Sequence, residues 1–205
     1  PNKRQSECQM STSDTTILFT DTEASTEFLS VRGDEVAVAL GHVHEEIVRD
    51  VTTKHGGRVI ASTGDGFLAV FSSCVSGVAA ALDIRRRLGE YNASHPDAAL
   101  PVRMGLNAGP VIEEGGDVHG LAVHAAARVT AKARTGQVLV SEAVRAEASS
   151  CRDWTFVYRG LFWLKGLQVQ WRLYEPTSGE VADQASPLES RSPFVDRDNE
   201  RAVLR

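Results

Sequence analysis

Two aspartates carry the chemistry that this sequence advertises. Asp21 stands in "ILFTDTEAST", directly after Ile17, Leu18 and Phe19, which read as a buried strand. A carboxylate at the end of a buried strand costs free energy unless it is paired or binds a cation. Taken alone, Asp21 fits an exposed loop carboxylate as well as a metal ligand. Asp65 stands in "STGDGFLAVF", in a tight turn between two strands. Two carboxylates at one sheet edge repel unless divalent cations lie between them. Mg²⁺ suits such a place, because it takes one or two carboxylates together with substrate phosphates. The metal reading therefore depends on a fold that sets the end of the first strand beside the Asp65 turn.

The elements that would do this follow from hydrophobic spacing. Residues 1–14 are polar and form a loose N-terminal segment, and residues 15–21 form the first strand. Asp34 can cap a helix in which Val36, Leu40, Val43, Ile47 and Val51 recur at helical spacing, and Gly56–Gly57 ends it. "RVIAST" and "FLAVF" are strands, with "GDG" between them as a hairpin signal. Ser73 can cap a second helix carrying Val75, Val78, Leu82 and Leu88. "VRMGLNAG" is a strand that leads into a short hairpin arm, "PVIEEGG", and "LAVHAAARVTAKA" is a third helix. "QVLVS" is a strand and "EAVRAEASS" a short helix, and "TFVYRG" and "QWRLYE" are late strands. This order predicts an α+β fold: a ferredoxin-like βαββαβ core with extra C-terminal strands, its helices on one face of a mainly antiparallel sheet. In that topology the first strand lies antiparallel beside the third. Asp21 and Asp65 then come together, which favours the metal reading.

The bulk properties narrow the partners. A chain of 205 residues with 42 % hydrophobic content suits one globular domain with some excess length. A net charge of −5 argues against nucleic acid or an anionic membrane as the main partner. Cys8, Cys74 and Cys151 form no C-x-x-C and read as free thiols of a reducing compartment. No apolar run approaches a membrane span, and the first residues lack the apolar core of a signal peptide, so the expectation is a cytoplasmic protein. The P-loop pattern is absent, and there is no basic track for a nucleic-acid template. From Pro176 the sequence turns rich in Pro, Ser, Glu and Asp. The expected organisation is residues 1–14, a catalytic domain over 15–175, and a linker over 176–205.

The segments "FTDTEAST", "GGRVIASTGDGFLAVF", "VRMGLNAGPV", "GDVHGLAVHAAAR", "GQVLVS" and "LKGL" occur in an order and spacing that resemble the class III adenylate/guanylate cyclase catalytic domain, in its bacterial, mycobacterial-type branch. The resemblance covers about residues 14–175. It implies that ATP, or GTP, is converted to the cyclic nucleotide and pyrophosphate at the interface of a head-to-tail homodimer. It also implies two Mg²⁺ or Mn²⁺ ions per site, held by Asp21, Asp65 and the Thr22 backbone. Ala24 stands where the family has glycine. Asp117 matches the base-reading aspartate, and Arg128 matches the arginine that stabilises charge at the α-phosphate. Arg103 and Lys165 match basic residues near the triphosphate. His119 lies close enough in sequence to Asp117 to touch the same base pocket.

Two positions depart from the resemblance. Ala61 replaces the base-reading lysine four residues before Asp65, and a methyl group cannot donate to a purine. His124 replaces the transition-state asparagine four residues before Arg128, one helical turn away on the same face. Histidine still donates a hydrogen bond, with a reach and protonation unlike those of an amide. The expectation is a weak, loosely base-selective adenylate cyclase. The alternative is a catalytically silent cyclase-like module that dimerises, binds nucleotide and regulates an attached domain. "FVDRDNERAVLR", at the end, resembles the entry of a signal-transduction ATPase domain, with Asp196 where glycine is usual.

Overall fold

The computed structural model describes residues 12–22 and 34–178. The expectations for residues 1–11, Ala24 and 179–205, including the ATPase-like terminal segment, lie outside the described residues. Strand β1 (Thr12–Thr22) is followed by helix α1 (Asp34–Lys54), strands β2 (Arg58–Ser62) and β3 (Gly66–Phe71), and helix α2 (Cys74–Ser94). A 3₁₀ turn at Pro96–Ala98 leads to β4 (Val102–Glu114), β5 (Asp117–His119), helix α3 (Leu121–Thr130) and β6 (Val138–Ser141). Helix α4 (Glu142–Ala148) and strands β7 (Trp154–Trp163) and β8 (Gln170–Ser178) complete the described chain. The sheet runs β2-β3-β1-β4-β6-β8-β7, with β5 folded back on β4. β1 sits between β3 and β4 and is antiparallel to both, while β4 and β6 are parallel.

The Ser73 signal works as capping chemistry requires. Ser73 extends at the start of α2, and its hydroxyl accepts from the Ser76 N–H at 3.1 Å. α1 stops at Lys54 because Gly56 takes φ +71°, a left-handed turn that costs glycine little. Its buried stripe differs from the expected one. Leu40, His44, Val48 and Val51 are buried, whereas Val43 and Ile47 are only partly covered and Val36 is 39 % exposed. The stripe includes a histidine, which a count of apolar residues passes over.

Successive residues of β1 point to opposite faces, and both faces are covered. Leu18 joins the large core with Val78, Ile84, Met104 and Leu106, under α1, α2 and α4. Ile17 joins a second core with Val111, Val118, Ala122 and Ala126, under α3. The expectation of helices on one face is corrected here: α3 crosses the opposite face. Small residues permit it. A Cβ on Gly105 would lie 2.3 Å from the Thr130 N, so the backbones of β4 and α3 meet directly. The C-terminal strands also run longer than expected. Pro176 and Thr177 pair with Phe156 and Thr155 instead of opening a linker.

Cys74 and Cys151 are free thiols. Burial pushes the Cys74 thiol up to about 12, so it packs as a small protonated group against Thr16 and Glu147. None of the described helices is long and apolar enough to cross a membrane.

Candidate functional site

The β1–β3 edge brings the two aspartates together. Asp21 pairs across the sheet with Gly66, the residue after Asp65. The Asp65 carbonyl accepts from both the Thr22 N–H (3.2 Å) and the Thr22 hydroxyl (2.9 Å), which ties the end of β1 to the β2–β3 turn. The turn closes through the Thr63 N–H on the Gly66 carbonyl at 2.8 Å. The Phe67 N–H donates to the Thr20 hydroxyl at 3.1 Å. Gly66 is required by distance: a Cβ there would sit 1.9 Å from the Thr20 carbonyl oxygen. Asp21 is half-buried and Asp65 is exposed.

Arg103 enters the same edge from β4. It is the cross-strand partner of Asp21. Its Nε donates to Asp21 Oδ2 at 2.7 Å, and its Nη2 lies 2.5 Å from the same oxygen. The two side chains are 23 % and 30 % exposed, a partly sheltered ion pair. A cavity of about 230 Å³ opens beside Asp21, lined by Thr20, Thr63, Ala127 and Thr130 at the C-terminal end of α3. Ala61 lies on β2, opposite Leu68, just after a register irregularity at Val59/Ala61.

The other candidates stand elsewhere. On α3, Ala122, Ala125, Ala126 and Val129 are buried toward the sheet, while His124 and Arg128 share the exposed face. The Asn107 amide holds the helix by donating to the Ala122 carbonyl at 3.1 Å. Asp117 and His119 are exposed on β5, and Val118 between them is buried in the second core. The Arg58 guanidinium braces this hairpin, donating to the Gly116 carbonyl and to Glu113, each at 3.0 Å. Lys165 is exposed in the turn after β7, beside the buried Leu164. Among the described residues, no hydrogen bond or ion pair joins Asp117, His119, His124, Arg128 or Lys165 to the Asp21–Asp65 edge.

One residue of this region carried no sequence signal. His44 of α1 is 2 % exposed and packs edge-on against Phe67, with ring centroids 4.9 Å apart. It lines a cavity of about 610 Å³ together with Thr22, Ser62 and Asp65. Burial lowers its pKa to about 4, against the opposing pull of the Asp65 carboxylate.

Asp21, Asp65 and the adjoining backbone present hard oxygen donors. That set suits a hard divalent cation whose remaining ligands come from phosphates and water. Among the described residues there is no group of three or more His, Cys, Asp or Glu side chains that could hold a metal by itself. Two carboxylates therefore fit an ion that arrives with a nucleotide better than a permanently caged one.

The sequence profile of the adenylate and guanylate cyclase catalytic domain matches residues 8–175. A Rhizobium meliloti protein that carries adenylate cyclase in its name is 32 % identical over 125 residues, covering 60 % of this chain and 21 % of its own. The chain spans from 21 % to 42 % of the curated relatives it matches. The fold is similar to that of the adenylyl cyclase CyaB from P. aeruginosa, with a TM-score of 0.76 and 17 % identity over 84 % of this chain and 97 % of that one. It is equally similar to the guanylyl cyclase Cya2, with a TM-score of 0.75 and 21 % identity over 85 % and 97 %.

Proposed function

We propose, from the premise that the chain belongs to the adenylate and guanylate cyclase catalytic domain family, that it converts ATP to 3′,5′-cyclic AMP and pyrophosphate in a homodimer, slowly and with loose base choice. The ribose 3′-oxygen attacks the α-phosphorus, the bond to the β-phosphate oxygen breaks, and the 3′-hydroxyl proton is released. The observation that supports this most is the β1–β3 register, which sets Asp21 against Gly66 and ties Thr22 to Asp65.

Each chain residue has a distinct task in this reading. Asp21, Asp65 and the Thr22 backbone would hold two Mg²⁺ or Mn²⁺ ions. Bound there, such ions supply charge neutralisation for the triphosphate and a lowered pKa for the attacking hydroxyl. Arg103 and Lys165 offer positive charge to the triphosphate. Asp117 accepts from the adenine amino group, with His119 nearby. Arg128 stabilises charge at the α-phosphate, and His124 donates beside it. His124 and Arg128 face away from their own sheet, which supports their use by a second copy. Ala61 offers no donor to the base, so Asp117 reads it alone and GTP competes. Losing one preorganised contact typically costs ~10²–10³-fold in turnover, which is why a slow enzyme is expected. An ATPase-like domain beyond the last strand would be the natural recipient of the signal.

Purified protein incubated with ATP or GTP and Mn²⁺ tests this reading, with the cyclic product measured by mass spectrometry. Cyclic AMP from ATP in excess of cyclic GMP from GTP by only a few fold is expected; no cyclic product from a folded dimer would refute it. Ala61 and His124 also favour a second reading, a silent nucleotide-binding module. Ala61→Lys with His124→Asn separates the two. An enzyme gains ATP turnover of about tenfold or more from restored contacts, and a drifted module gains none.

A further inference from the structure

The contact between Arg103 and Asp21 has a consequence for how a cation enters. A metal ion at the edge needs carboxylate oxygens, yet two donors of Arg103 converge on Asp21 Oδ2, at 2.7 Å and 2.5 Å. Two guanidinium donors take up the acceptor capacity of that oxygen, so a cation that draws on Oδ2 competes with Arg103. Arg103 is also placed to stay. Its backbone faces Asp21 in the β1–β4 register, and the flanking Val102 and Met104 are buried on the opposite face. Those neighbours fix the strand, so only the side chain is free to move. Asp21 also lines an open cavity together with Thr20, Thr63 and Thr130.

We infer that Arg103 is a latch: it occupies Asp21 in the nucleotide-free protein and releases it only when a triphosphate offers the guanidinium a better anion. This rests on the two-carboxylate metal reading above. The latch makes metal and nucleotide binding cooperative. A lone cation competes with Arg103 for Asp21 and, where it wins, leaves the guanidinium without that anion. A cation arriving with a triphosphate moves Arg103 from one anion to another. By linkage, whatever the nucleotide adds to metal affinity the metal adds to nucleotide affinity. Arg103 is thus a positioning residue for Asp21 before it is a phosphate ligand, and the protein rests with its metal site shut.

Mn²⁺ uptake without nucleotide tests the latch, read from the loss of the free-ion electron paramagnetic resonance signal. Arg103→Gln should bind Mn²⁺ about twofold to fivefold more tightly than wild type, the range a partly exposed ion pair implies. Arg103→Lys keeps the charge but cannot bring two donors to one oxygen, so it should fall between them. Equal affinity in all three proteins overturns the latch. So does tightening by Gln with none by Lys, which would mark a mere field effect. Asp65→Asn in the Arg103→Gln background should abolish the gain, fixing the ion at this edge. No Mn²⁺ uptake by any variant, either alone or with ATP present, would instead overturn the metal reading itself. Should the variants fold poorly, the wild type answers alone: its Arg103 Nε–H should be protected from solvent exchange, and lose that protection as Mg²⁺ saturates the site. Protection that survives saturation overturns the proposal.

Discussion

The β1–β3 edge and the outer face of α3 carry the residues on which the proposed reaction depends, and they are built in opposite ways. The edge is closed on itself. Asp21 is held by Arg103, Thr22 is bonded twice to Asp65, and Gly66 is pressed against Thr20. The α3 face is open. His124 and Arg128 lie on the exposed face of a helix whose inner side is sealed by alanines, and their side chains form no hydrogen bond or ion pair with the other described residues. In the proposed reading the edge is one half of the site and the α3 face the other, and a second copy brings the two halves together.

This contrast is sharpest in activity. Asp21→Ala and Asp65→Ala should each reduce cyclic nucleotide formation by well over tenfold, since a lost metal ligand removes several kcal/mol of transition-state stabilisation. A variant that keeps more than about a tenth of the wild-type rate, measured as cyclic product at saturating Mn²⁺, contradicts the role of the edge.

Stability should separate the two regions in the other direction. Gly66→Ala forces a Cβ against backbone at 1.9 Å and should destabilise the fold by about 3 kcal/mol. Arg128→Ala touches only the open face and should stay within about 0.5 kcal/mol of wild type. Urea unfolding of both proteins gives the comparison. Equal midpoints would mean that the edge is not the rigid element.

A smaller effect comes from beneath the edge. His44 takes up its proton near 6.5 when unfolded and only near about 4 when folded. The unfolded chain therefore binds more protons in between, so stability is whole above 6.5 and falls as pH drops toward 4. The loss should reach at most about 3 kcal/mol. His44→Met should flatten this part of the pH profile; an unchanged slope would assign the acid sensitivity to other groups.

The sequence made the edge legible because its signals are local. An apolar run ends in Asp21, and a "GDG" turn separates two strands, so a ferredoxin-like order suffices to bring the two together. The position of α3 was not legible. Its alanines say that something packs closely, and only Gly105 on β4 says what and on which face. The Arg103–Asp21 pair was hidden for a related reason. Its partners are 82 positions apart and meet through a β1–β4 register that no single segment encodes. His44 was passed over because a buried imidazole interrupts the apolar spacing that reveals a helix stripe. Asp117, Arg128 and Lys165 enter the proposed site through resemblance alone, since exposed side chains without partners leave no physical trace in one chain.

Subunit complementation tests the split site most directly. Asp65→Ala breaks the assembled half and Arg128→Ala breaks the presented half, so each protein alone should be inactive. Mixed in equal amounts with subunit exchange, half of the dimers carry both mutations in different copies, and each of those keeps one of two sites intact. Cyclic AMP formation should then recover to about a quarter of the wild-type rate, as a two-fold dimer requires. If exchange is demonstrated and the mixture stays as inactive as its components, the two halves do not meet across an interface, and the account of this protein as a split-site cyclase is wrong.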